Sequence, residues 1–157
     1  MDTTDKIEDL SSNAPATTIA TEEREQDLRL YAVLRSDIQI SSGKAIAQCG
    51  HAYVQTFIAA LADRDPRSEA YARLTPGTKI TLDGGSLTNL IALRDKMVSR
   101  GIPHALITDR DHLELPDFDG SPTVTALGIG PITRSDARRL LSRLPLWGAA
   151  RSRGGAS

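Results

Sequence analysis

The sequence predicts an α/β domain built on a mostly parallel sheet. Three observations lead there. Short apolar runs with strand character, such as Leu28–Leu34 (LRLYAVL), alternate with longer stretches of helical periodicity. Clusters of Gly, Pro, Asp and Ser separate them as turns. The stretch 28–147 is long enough for one core, while 1–27 and 148–157 carry no apolar periodicity. The chain therefore reads as a disordered acidic tail (1–27), a single domain (28–147) and a flexible C-terminal tail (148–157).

The elements follow in order. Leu28–Leu34 is a buried strand running into Arg35 and Asp37. The Ser41-Ser42-Gly43 turn opens a long helix reaching about Leu61, with Ser41 or Ser42 as its cap. Asp65-Pro66 breaks the chain before a short helix around Ser68–Leu74. Thr78–Leu82 is a second strand, closed by an Asp83-Gly84-Gly85 turn. Ser86 caps the next helix, whose Leu87, Leu90, Ile91 and Met97 recur at helical spacing, with Leu93 and Val98 flanking. Gly101 and Pro103 stop it. His104–Thr108 is a third strand, followed by a polar loop from Asp109 to Pro122. Thr123–Gly128 is the fourth strand, and Thr133 or Ser135 caps a last helix to about Leu144. No helix joins the third and fourth strands, so that pair is antiparallel or non-adjacent.

Composition excludes several classes of function. Aromatic residues make up only 4% of the chain, so aliphatic side chains and alanine must fill the core. The lone Cys49 forms no internal disulfide and no cysteine metal cluster. His51, His104 and His112 lack metal-ligand spacing, so no zinc site is expected, and no cofactor is expected either. No apolar run reaches the length of a membrane span, and the N-terminus has no signal-peptide core, which makes the cytoplasm the expected compartment. Residues 1–27 hold two basic and eight acidic side chains, a net of −6. Residues 28–147 hold fifteen basic and twelve acidic, a net of +3. A mildly basic domain suits contact with a few phosphates, not dedicated duplex binding.

The most informative segment is Ser42-Gly43-Lys44-Ala45-Ile46-Ala47-Gln48-Cys49-Gly50-His51-Ala52. At about 100° per residue, Lys44, Gln48, His51 and Gln55 fall in one narrow stripe free of acidic residues, with Ile46, Cys49, Tyr53 and Phe57 opposite. Gly43 and Lys44 at the helix start combine free backbone N–H groups with a full positive charge, a setting for an anion. Cys49 sits on the apolar side, and His51 two residues later points away from it, so the thiol reads as structural, not nucleophilic. Ser42-Gly43-Lys44 is not a phosphate loop, because Ile38 stands where the earlier glycine belongs and Ala45 replaces Ser/Thr. Gly128-x-Gly130 runs into Pro131, not a helix, and is no dinucleotide fingerprint.

A second segment, Thr123-Val124-Thr125-Ala126-Leu127-Gly128-Ile129-Gly130-Pro131, completes the pattern. Together the two segments resemble the type II peptidyl-tRNA hydrolase family. Its helix motif G-K-x-x-A-Q-C-x-H-A matches Gly43 to Ala52, and its T-x-L-G-I-G-P pattern matches Thr125 to Pro131. The likeness extends in order and spacing from about Leu28 to Trp147. It implies a four-stranded mixed sheet with helices on both faces, in three α/β/α layers. It implies hydrolysis, without a metal, of the ester joining a peptide to the terminal ribose of tRNA, with peptidyl-tRNA as partner and a homodimer as assembly. It carries over Lys44, Gln48, His51, Asp109 and Thr125 as catalytic candidates, beside the phosphate-binding helix start that the residues themselves point to at Gly43 and Lys44. Each suits the chemistry: Lys44 for an oxyanion or phosphate, Gln48 for a carbonyl or water, His51 for proton transfer, Asp109 as base or water holder, Thr125 as donor.

The segment after the strand-three aspartate departs from the family pattern D-A-G-R-T-[EQ]. Here it reads Asp109-Arg110-Asp111-His112-Leu113-Glu114, with His112 for the arginine and Leu113 for the threonine, and a longer Pro116–Pro122 stretch. A second reading is therefore a binding module for RNA or another anion with weak or no turnover on the same scaffold. The Arg110–Glu114 segment discriminates, by leaving the site open or filling it.

Overall fold

The computed structural model describes residues 27–110 and 112–149. The expectations for the two tails, apart from Asp27, Gly148 and Ala149, lie outside the described residues. The elements are β1 (Leu28–Arg35), α1 (Ser42–Ala62), α2 (Pro66–Ala72), β2 (Thr78–Gly85), α3 (Leu87–Ser99), β3 (His104–Asp109), β4 (Leu113–Glu114), β5 (Phe118–Asp119), β6 (Thr123–Thr133) and α4 (Arg134–Leu141).

Four strands form one mixed sheet in the order β2-β1-β6-β3. β1 and β2 are parallel, joined by the α1–α2 crossover, whereas β6 runs antiparallel to both β1 and β3. Parallel neighbours are thus confined to one pair, because the helix-free connection after β3 turns β6 back between the two edges. The loop expected from Asp109 to Pro122 contains the short β4–β5 hairpin. The expected Asp83-Gly84-Gly85 turn is the end of β2, whose Asp83 amide bonds to the Pro145 carbonyl.

Alternation along β1 sorts the core into two faces. Tyr31 and Val33 pack with Leu82, Leu90, Leu93, Met97, Leu127, Ile129 and Leu141 under α3 and α4. Ala32 and Leu34 face the other way, onto Ala45 and Ala52 of α1 with Ile107 and Ala126. Leu28 and Leu30 continue that face beneath α2, against Ala70 and Tyr71. The α3 stripe that reaches the core is Leu90, Leu93 and Met97; Leu87 and Val98 are exposed.

The two glycines of the Gly128–Pro131 segment have separate jobs. A Cβ on Gly128 would overlap Thr56 Oγ1 and the Ala52 carbonyl, so its bare backbone lets α1 lie close on β6. Gly130 has φ +110°, and its amide bonds to Pro103 O at 2.8 Å. It lies at the register shift where β6 passes Arg29 and Tyr31 of β1, a bulge that Pro131, with no amide to donate, can also occupy.

Candidate active site

Because β6 is antiparallel to both neighbours, β1, β2 and β3 end at the same edge of the sheet. Arg35, Gly85 and Asp109 close these strands there, and the N-termini of α1 and α3 begin there. This is the edge where open α/β sheets hold their ligands.

The buried line of α1 is Ala45, Gln48, Ala52, Thr56 and Ala60. It runs between the two stripes expected from the sequence. Lys44, His51 and Gln55 form one flank; Cys49, Tyr53 and Phe57 form the other, half-buried. Ile46, expected inside, is 73% exposed. Alanine carries little weight in a hydropathy pattern, yet small side chains are what the close approach to Gly128 requires. Ser41 is the N-cap but makes no side-chain capping bond; its hydroxyl reaches Glu114 Oε2 at 3.5 Å instead.

Four of the five candidates meet in one hydrogen-bonded chain. Lys44 Nζ donates to Asp109 Oδ2 at 2.6 Å, and Gln48 Nε2 donates to Asp109 Oδ1 at 3.2 Å. Thr125 Oγ1 donates to Gln48 Oε1 at 2.6 Å. The carboxylate is therefore gripped on both oxygens from successive turns of α1, and the glutamine amide is oriented from below by the threonine. The side chains of Lys44 and Asp109 are only 8% and 16% exposed. Thr125 reaches this position through a local irregularity: Ile107 pairs with Ala126 but Thr108 pairs with Val124, leaving Thr125 as the extra residue of a bulge. The bulge turns Thr125 and Ala126 toward the same helix. Arg35 braces it, donating from Nη1 to Val124 O at 3.0 Å while its other nitrogens hold Asp37.

His51 is exposed on the flank of α1 and, among the described residues, hydrogen-bonds to none of the four. Gly43 is also exposed, with open space where a Cβ would stand. Cys49 is half-buried on the far flank; burial pushes its thiol up, which suits an unreactive sulfur. No group of three His, Cys, Asp or Glu side chains among the described residues converges as a metal site.

The departing segment leaves the network in place. Arg110 is exposed, and Leu113, which stands where a hydroxyl was expected, is 75% exposed and turned outward. His112 Nε2 meets Glu114 Oε2 at 3.2 Å, a bond that holds the Glu114 carboxyl below its ordinary value. The residue the sequence reading missed is Phe118. It is buried, and Lys44 Nζ lies 4.6 Å from its ring centroid. An aromatic inside a polar Asp/Pro-rich loop, one of only two phenylalanines in the chain, is the signal that points to it.

A family model, peptidyl-tRNA hydrolase PTH2, matches residues 28–147. The chain belongs to the peptidyl-tRNA hydrolase PTH2 family. A peptidyl-tRNA hydrolase from Pyrobaculum aerophilum is 36% identical over 106 residues, covering 67% of this chain and 87% of that protein. One from Haloquadratum walsbyi is 33% identical over 115 residues, 73% of this chain and 96% of the relative. A probable peptidyl-tRNA hydrolase 2 from Dictyostelium discoideum is 34% identical over 111 residues, 71% of this chain and 51% of its own length. The two segments that carry the PTH2 likeness, Gly43–Ala52 and Thr125–Pro131, supply three of the four networked residues. The third strand's terminal aspartate supplies the fourth. Among the described residues no helix is long and apolar enough to cross a membrane.

Proposed function

We propose that this chain is a peptidyl-tRNA hydrolase whose site is Asp109, Lys44, Gln48 and Thr125. The observation that carries the reading is the Lys44–Asp109–Gln48–Thr125 network at the C-terminal edge of the sheet, in a chain of this family. Ester hydrolysis needs a water aimed at a carbonyl, charge to meet the oxyanion, and a proton for the leaving ribose oxygen. Asp109, oriented on both oxygens, holds the water, takes its proton as the water attacks the carbonyl, and returns that proton to the leaving ribose oxygen as the ester bond breaks. Lys44 is the cation beside it that meets the developing oxyanion. Gln48 fixes the carboxylate, and Thr125 fixes Gln48. The open helix start at Gly43 accepts a phosphate of the tRNA. His51, exposed on the flank, serves the substrate and not the network. A peptidyl-tRNA substrate supports a cytoplasmic location. The exposed Ile46, Val54, Ile58 and Leu61 along α1 support a homodimer.

The test is release of the blocked amino acid from N-acetyl-aminoacyl-tRNA. Wild type is expected to turn over in EDTA as well as without it. Lys44→Ala and Asp109→Ala are each expected to lose about 100-fold or more in kcat. A folded wild type that binds tRNA without turnover would sink the hydrolase reading in favour of a binding module.

A further inference from the structure

Phe118 is a large, fully buried side chain that lies outside all three apolar clusters of the core. It stands on the β4–β5 hairpin, where Leu113 and Leu115 are 75% and 77% exposed. Among the described residues 112–120 it is the one buried side chain. A hairpin that turns two leucines to solvent and one phenylalanine inward is not folded to bury apolar surface in general. What lies under the ring is the site. The Lys44 ammonium is 4.6 Å from its centroid, within the range at which a cation is attracted by a ring face. The His112 ring meets Phe118 edge-on, with centroids 5.6 Å apart.

The hairpin is tied down around that contact. The Gln39 amide donates to Asp117 Oδ2 at 2.7 Å, fastening the segment just before α1. Ser41, the N-cap of α1, donates to Glu114, which His112 also holds. The Gly120 amide closes the hairpin onto His112 O at 3.0 Å. Each tether joins the hairpin to the segment that leads into the helix carrying Lys44, or closes the hairpin on itself.

We propose that Phe118 is a positioning residue for the hydrolysis, its ring face holding and drying the Lys44 ammonium against Asp109. The inference rests on the assignment of Lys44 and Asp109 to the reaction. A lysine on a flexible four-carbon stem samples many rotamers in water. The ring replaces water on one side of the ammonium and the carboxylate holds the other, so the charge stays beside the reacting carbonyl. The effect belongs to the chemical step, because Phe118 is too deeply buried to bind tRNA itself. It is expected in kcat and not in KM.

The experiment keeps the shape of the ring and changes its charge distribution. Site-specific mono-, di- and trifluorophenylalanine at 118 drain the ring face in steps with little change of volume. kcat on N-acetyl-aminoacyl-tRNA is expected to fall stepwise, reaching about tenfold in the trifluoro protein, with KM within about twofold. Phe118→Leu is expected to fall at least as far. The Lys44 ε-methylene protons, shifted by the ring current in the wild type, are expected to move toward their random-coil position in Phe118→Leu. A stepwise fall with an unchanged thermal midpoint supports the proposal. Wild-type kcat across the fluorinated series overturns it, even if Phe118→Leu is impaired, since the ring would then be only an apolar anchor. An inactive wild type would instead remove the hydrolase reading, and the Lys44 shift would still report whether the ring holds the ammonium.

Discussion

Thr125 shows how one hydroxyl governs a site at the scale of a residue. It is fully buried, and its single proton goes to Gln48 Oε1 at 2.6 Å, not to the Ile107 carbonyl at 3.4 Å. Gln48, itself buried, must then turn its Nε2 toward Asp109. Thr125→Val keeps the shape and deletes the proton, leaving a buried amide oxygen without its donor. The expected cost is about 1–3 kcal/mol of stability, read by urea unfolding, together with a fall in kcat as Gln48 loses its orientation. Thr125→Ser is expected to restore most of both. A Val variant with wild-type kcat would remove Thr125 from the positioning chain. The sequence names this threonine only through the family pattern. Its inward direction comes from the bulge between Ile107 and Thr108, which strand alternation cannot foresee.

At the scale of elements, α1 depends on contacts that a hydropathy pattern undervalues. Strand and helix positions were legible because apolar runs and turn residues punctuate them. The buried line of α1 was not, because it consists of Ala, Gln and Thr. Gly128→Ala tests that line directly. The added methyl would meet Thr56 and the Ala52 backbone, so it is expected to cost about 1–3 kcal/mol and to lower kcat by moving Lys44 and Gln48 off Asp109. Thr133→Ala is its control. Thr133 caps α4 by accepting from the Asp136 amide at 3.2 Å, far from the site, so about 1 kcal/mol of stability is expected to go with kcat unchanged. Equal activity in the two variants would separate the α1–β6 packing from catalysis.

A second element carries its own pH dependence. Asp65 caps α2 through the Arg67 amide and is bonded by the Arg67 guanidinium, chiefly at Nε and Nη2. Those side-chain bonds hold its carboxyl below the ordinary value. A carboxyl lowered in the folded state stabilises the fold above the unfolded value of about 4. That contribution is lost as pH falls from there through the lowered value. Asp65→Asn keeps a capping oxygen but removes the titration. It is expected to lower the thermal midpoint at pH 7 and to flatten the decline on the acid side of pH 4. Parallel wild-type and variant curves would show that the Asp65–Arg67 pair contributes nothing to acid unfolding.

At the scale of the whole molecule, the described residues leave an apolar face of α1 exposed. α1 lies across the sheet with Gln48 and its alanines inward, and it turns Ile46, Val54, Ile58 and Leu61 to the outside. Beside Val54 and Ile58, the half-buried Tyr53, Phe57 and Leu74 line a groove floored by Leu30. Apolar surface grouped on one helix is what a second copy would cover in the homodimer proposed above. Val54 and Ile58 lie ten and fourteen residues beyond Lys44, roughly 15 and 21 Å along the helix axis, so a charge placed there stays clear of the Asp109 network. Wild type is expected to sediment at about twice its 16.9 kDa chain mass. Val54→Glu with Ile58→Glu is expected to sediment as a single chain with kcat per chain close to wild type. A monomeric wild type would remove the homodimer while leaving the hydrolase intact. A double variant that stays dimeric would move the interface off this face of α1, and one that becomes monomeric and inactive would mean the pairing holds the α1 N-terminus, and Lys44 with it, in place.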